Sequence, residues 1–96
     1  MLLYYNIMKK DKELYKPFVS KAKNKKYSVY VKSDKTKSGM KLIHFGDKRY
    51  EQFKDKLGHY SKLDHNDKER KKKYYSRHGK ATSKDTAKYW SHKILW

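Results

Sequence analysis

Between residues 27 and 32 (YSVYVK) apolar and polar positions alternate with a period of two, setting Tyr27, Val29 and Val31 on one face and Ser28, Tyr30 and Lys32 on the other. β-Branched and aromatic residues at that spacing predict a half-buried strand. A second run, 40–45 (MKLIHF), predicts its partner, and the polar stretch between them, 33–39 (SDKTKSG), carries the turn formers Asp34 and Gly39. The two runs read as a β-hairpin with a loop of seven residues, longer than the tightest hairpin turns. Two strands alone are seldom stable in water, so helices are expected to cover the apolar face.

Beyond Gly46 the period becomes helical. Asp47 is placed to cap a helix with Tyr50, Phe53 and Leu57 on one face and Gly58 as its stop. Residues 59–65 read as a linker. Asn66 then precedes a helix over 67–78, with Glu69 three residues on as in a capping box, Arg77 and His78 in the last turn, and Gly79 as terminator. A last segment, starting at Ser83 or Asp85, sets Ala87, Trp90 and Ile94 on one face and runs to Trp96. This order predicts an α+β fold, a β-hairpin followed by two or three short helices.

Residues 1–26 show no sustained period. The apolar start, 1–8 (MLLYYNIM), is too short for a signal-peptide core and reads as a short strand, or as an upstream start to a chain beginning at Met8. A short helix is compatible with the residues before Pro17, which itself resists continuation. The expected organisation is a basic N-terminal arm over 1–26, whose order the sequence leaves open, and a small α+β domain over 27–96.

Charge changes the picture most. Across 96 residues, 27 Lys and Arg face 10 Asp and Glu, a net charge of +17 distributed as +6, +4 and +7 over 1–26, 27–58 and 59–96. Apolar residues are 35% of the chain and ten of them are tyrosines, so the core must be thin and partly aromatic. Self-repulsion at this density calls for an anionic partner: nucleic acid, an anionic membrane or an acidic protein surface. No stretch approaches the ~20 apolar residues of a membrane span. The absence of cysteine excludes disulfides and thiolate metal sites. All the cations but Arg49, Arg70 and Arg77 are lysines, which favours attraction to phosphate over the reading of base edges. An A/T-rich genome, with its Lys, Asn and Tyr codons, produces the same bias.

The sharpest basic element lies in the helix predicted over 67–78. At 100° per residue Arg70, Lys73, Arg77 and Lys80 line one stripe, with Tyr74 and Tyr75 beside it. Cations neutralise phosphates and aromatic rings stack on bases; the plainer alternative packs both tyrosines on the hairpin and leaves the lysines solvated. His78 reads as a phosphate contact or a helix C-cap. Adding the arm and the turn after the hairpin, the expected nucleic-acid contacts are Lys23, Lys25, Lys26, Lys48, Arg49, Arg70, Lys73, Tyr74, Arg77, His78 and Lys80.

The main rival is a minor capsid or other structural protein that meets acidic partner subunits, with Tyr89, Trp90 and Trp96 as interface anchors. A zinc module would have to draw on His44, His59, His65, His78 and His92, of which His59 and His65 lie near Asp64 and Asp67, but no pair has ligand spacing. No nucleophile elbow, phosphate loop or metalloprotease motif is present. His44-Phe45-Gly46-Asp47, a conceivable nuclease fragment, is better explained as a strand end and a helix cap. The expectation is a non-enzymatic protein without a cofactor, with a nuclease or zinc-binding module as outside readings.

Three segments in order, 42–56 (LIHFGDKRYEQFKDK), 63–80 (LDHNDKERKKKYYSRHGK) and 86–96 (TAKYWSHKILW), resemble an uncharacterised domain encoded by large DNA viruses and some tailed phages. The likeness rests on the FGD step after a strand, the helix from His65 and Asp67 that closes in Arg77-His78, and the Trp90-Ser91 and Leu95-Trp96 pairs. From about Met40 to Trp96 it spans somewhat over half the chain. It implies a viral source, a virion or accessory role, residence in the virion or in the host cytoplasm or nucleus, and no established activity. On that basis DNA ranks ahead of RNA as the partner. Arg77-His78 and Trp90-Ser91, as signature positions, are expected to lock the last two helices together through a buried aromatic and a capped helix end.

Overall fold

The computed structural model describes residues 13–96; the strand or alternative start expected at 1–8 lies outside them. The alternation at 27–32 gives the central strand of a three-stranded antiparallel sheet. Strand β1 is Phe18–Val19, β2 is Lys25–Lys32 and β3 is Met40–Asp47, in the order β1-β2-β3. Two helices follow, α1 at Lys68–His78 and α2 at Ala87–Ile94, so the described chain is α+β. The register sets Tyr27 opposite Phe45 and Val29 opposite Ile43. Tyr27, Val29 and Val31 are 0% exposed, and α2 closes over them with Trp90, Ile94 and the following Leu95. Burial of each aliphatic side chain stabilises the fold by roughly 1.5–3 kcal/mol, and eight apolar residues are buried among the described residues.

One stretch adds to the expectation and another departs from it. The first is the arm, whose order the sequence leaves open. Phe18 and Val19 pair with Ser28 and Tyr27, the Tyr15 amide donates to the Tyr30 carbonyl at 2.8 Å, and Lys25 and Lys26 open β2. No helix forms before Pro17 among the described residues; Tyr15 has a φ of 60°.

The second is the helix expected from Asp47 to Leu57, which does not form. That segment is a chain of turns wrapped around buried polar side chains. The Tyr27 hydroxyl donates to Asp55 Oδ2 at 2.5 Å, and Asp55 also accepts from the Leu57 and Tyr60 amides at 2.9 and 2.8 Å. Gln52 donates to the Tyr60 carbonyl at 2.9 Å and to Asp64 Oδ1 at 2.5 Å, and that same carboxylate oxygen accepts from the Asp55 amide at 2.7 Å. Satisfying Gln52 and Asp55 inside the fold outweighs a short helix whose apolar face would be Tyr50, Phe53 and Leu57; Tyr50 is instead 66% exposed. Gly46, with φ +75°, sits where a Cβ would lie 2.7 Å from Leu95 Cδ1 and 3.1 Å from the Lys26 side chain. Only glycine meets both demands.

Helix α1 begins one residue later than the capping-box pattern suggests. Asp67 is the N-cap, accepting from the amides of Glu69 and Arg70 at 2.9 and 3.2 Å, while Asn66 takes a left-handed φ of 52°. Helix α2 is capped by Thr86, between Asp85, one of the two starts foreseen, and Ala87.

Candidate nucleic-acid interface

Helix α1 is polar on nearly every side. Tyr74 is its single buried residue, 8% exposed, and it stacks on Trp96 with centroids 4.2 Å apart and ring planes 3° from parallel. The Tyr74 hydroxyl meets His92 Nδ1 at 2.9 Å, and His92 Nε2 reaches the Gly79 carbonyl at 2.8 Å. Burial, followed by the neighbouring Tyr75, pushes the Tyr74 phenol up to about 12, so it stays neutral at physiological pH. The aromatic lock between the helices therefore runs through Tyr74, His92 and Trp96. It does not run through Arg77-His78 and Trp90: Trp90 is 2% exposed, packs on Phe45 and donates to the Lys84 carbonyl at 2.8 Å.

Anchoring α1 by Tyr74 sets its basic stripe beside the indole. Arg70, Lys73, Ser76, Arg77 and Trp96 line one open cleft of about 370 Å³. Arg70 Nη1 is 2.9 Å from Glu51 Oε1, an exposed pair of the kind that contributes little and exchanges readily for a phosphate. Among the described residues neither Lys73 nor Arg77 has a carboxylate within 4.0 Å. Three cations thus share a cleft with one weakly held counter-charge.

The other basic residues expected at the interface divide sharply. Lys26 is 1% exposed; its ammonium donates to the Tyr50 carbonyl at 2.8 Å and to Gln52 Oε1, and burial lowers its pKa against the pull of Asp55, Asp47 and Asp64. It is a structural group, not a phosphate contact. Arg49 has its guanidinium on Asp47, Nε to Oδ1 at 3.0 Å and Nη2 to Oδ2 at 2.7 Å, an engagement that holds the Asp47 carboxyl well below the usual range. Lys25 is half-buried opposite Asp47, Lys48 lies 5.9 Å from the Tyr60 ring, and Lys23 is exposed in the turn before β2. Tyr74 is buried in the lock, against Trp96 and His92 rather than on the hairpin. Lys80 lines a separate, mostly apolar hollow of about 540 Å³ with Tyr75, Gly79, Ala81, Thr82 and His92. His78 is exposed, its ring 4.5 Å from that of Tyr74, and it does not line the Arg70–Arg77 cleft. A wider concavity of about 670 Å³ beside the hairpin loop mixes Lys32, Lys35 and Lys41 with Asp34 and Asp85, so it lacks the charge bias of the α1 cleft.

Of the three expected protein-interface anchors, Trp90 belongs to the core, Tyr89 packs at its edge, and Trp96 forms a wall of the basic cleft. Spacing alone could not pair Trp96 with α1, because the contact spans more than twenty residues and depends on the α2 packing. Among the described residues no three His, Asp or Glu side chains gather as a metal site. His44 Nδ1 lies 2.6 Å from the Ser28 hydroxyl and 3.3 Å from that of Ser20, and His65 Nδ1 accepts from the Asp67 amide at 2.9 Å. Also among the described residues, no helix is long and apolar enough to cross a membrane. Against protein-family models, curated proteins and solved structures the chain shows no match.

Proposed function

We propose that this protein binds nucleic acid through its phosphates, without catalysis and with little sequence preference, and that α1 is the centre of the contact. The observation that carries the reading is the cleft in which Arg70, Lys73 and Arg77 stand together while the arginine outside it, Arg49, is engaged by Asp47. Among the described residues Lys73 and Arg77 have no carboxylate within 4.0 Å and Arg70 has one exposed pair, and cations so lightly compensated are the ones that exchange condensed counterions for contacts to phosphate. The net charge of +17 supplies long-range attraction to the same partner. The motif resemblance supports a viral setting, in the virion or the infected cell, with DNA ahead of RNA. The burial of Trp90 counts against an acidic-subunit interface anchored on that residue.

A mobility-shift series with duplex DNA, single-stranded DNA and RNA tests the proposal. Three phosphate contacts alone weaken duplex affinity by roughly 40-fold between 50 and 200 mM salt, and the remaining exposed lysines steepen that dependence. No shift of any probe at about 50 mM salt, or binding indifferent to salt, overturns it.

A further inference from the structure

We infer that the α1 cleft takes one unpaired nucleotide of a strand, its base against Trp96 and its flanking phosphates on Arg70, Lys73 and Arg77, so that the protein prefers single strands to duplex. The inference rests on the nucleic-acid reading and deepens it. Lysines spread over a surface attract any polyanion, and they alone give no reason for an aromatic wall. Here the wall is built in. Tyr74 covers one face of the Trp96 indole at 4.2 Å, and the His65 ring lies 5.3 Å from it on a plane tilted by 56°. The indole is therefore held in place before any ligand arrives, yet Trp96 is only half-buried and lines the cleft. Pre-ordering of this kind removes the entropy that an ordered side chain otherwise loses on binding.

Size and spacing agree. About 370 Å³ falls at the lower end of ligand pockets, room for one base and its sugar rather than for a run of them. Arg70 and Arg77 are seven residues apart on a helix, about 10.5 Å along its axis with Lys73 between them, so the cations flank the cleft on the scale of adjacent phosphates. A base inside a duplex is stacked on both sides and cannot reach an indole beside a helix, whereas an unpaired base can. Ser76 adds a hydroxyl to the lining, able to donate to phosphate or accept from a base edge.

The test uses the full chain and three labelled probes of equal length at about 100 mM salt: oligo-dT, the same backbone without bases, and a duplex. Contact between one base and the indole gives oligo-dT an advantage of roughly 5- to 150-fold over the abasic strand. It also quenches the accessible Trp96 emission while Trp90, sealed in the core, is unaffected. Trp96→Ala is expected to abolish the oligo-dT advantage and keep abasic binding; Trp96→Phe, which preserves the stack on Tyr74, keeps part of the advantage and so guards against misfolding of the alanine variant. Equal binding of oligo-dT and abasic strand by the wild type, without quenching, overturns the inference and leaves phosphate binding intact. Tighter binding of the duplex overturns it as well. Failure of all three probes to bind overturns the nucleic-acid reading and this inference with it.

Discussion

The chain has two basic clusters that look alike in sequence and behave as opposites in the fold. One, at Lys25, Lys26, Lys48 and Arg49, gathers where β2 begins and β3 ends; the other, at Arg70, Lys73 and Arg77, lies along α1. In the first, most of the charges are engaged by the protein, Lys26 by Tyr50 and Gln52 and Arg49 by Asp47, with Lys25 opposite that same residue, while the exposed Lys48 has only the Tyr60 ring 5.9 Å away. In the second, one weak surface pair is the whole of the internal compensation among the described residues. The difference follows from the backbone around each cluster. The turns of 47–65 fold back over β2 and bring carboxylates and carbonyls to the lysines, whereas α1 is held to the body of the protein by Tyr74, by the Tyr75 hydroxyl on the His92 carbonyl and by Lys71 over the Phe53 ring, and leaves its Arg70–Lys73–Arg77 flank exposed. A lysine is a binding group only where the fold has not already used it.

The largest effect should come from disturbing the first cluster where it is tightest. Gly46→Ala drives a Cβ against Leu95 and Lys26 at a positive φ and should destabilise the fold by about 2–4 kcal/mol, seen in a urea or thermal melt. Lys26→Met keeps the aliphatic stem and removes the ammonium, leaving the Tyr50 carbonyl and Gln52 Oε1 without a donor. A loss of about 1–3 kcal/mol is expected, with nucleic-acid affinity of the folded variant and its salt slope unchanged. A marked drop in that slope would mean that Lys26 is a phosphate contact after all and would dissolve the distinction between the clusters.

A smaller, pH-dependent effect should appear next to the second cluster. Burial, reinforced by Arg70, lowers the His65 pKa from its ordinary 6.5, and its Nε2 is buried without a hydrogen-bond partner. A histidine depressed in the folded state contributes stability above the unfolded value, lost as pH falls through about 6.5 toward the folded value. Because His65 rests on Trp96, lowering the pH from 7.5 to 5.5 should reduce the melting temperature and alter Trp96 emission. His65→Gln, which can still accept from the Asp67 amide, should flatten both responses. An identical pH profile in the variant would remove His65 from the account.

The contrast between the clusters also marks where sequence ran out. The hairpin was legible because a strict period of two has one solution: Tyr27, Val29 and Val31 all reach 0% exposure. Helix α1 was legible because Gly79 and the acidic first turn are local signals, and its cap slipped by only one residue. The helix over 47–57 failed because periodicity treats Gln52 and Asp55 as solvent-facing, whereas both are buried partners of β2 side chains far away in sequence. β1 went unseen because two residues carry no period. Within the site, the stripe Arg70/Lys73/Arg77 was visible as a helical face. Neither the burial of Lys26 nor the placement of Trp96 was, since both depend on contacts more than twenty residues apart.

The most direct test of the central claim is the salt dependence of affinity in two charge-removed variants, Arg70→Gln/Lys73→Gln/Arg77→Gln and Lys26→Gln/Arg49→Gln. With each probe, the slope of log K against log salt should become shallower by about 2 to 3 for the α1 variant, as three lost phosphate contacts require, and stay within error of wild type for the other. Equal slopes in the wild type and the α1 variant would contradict the account.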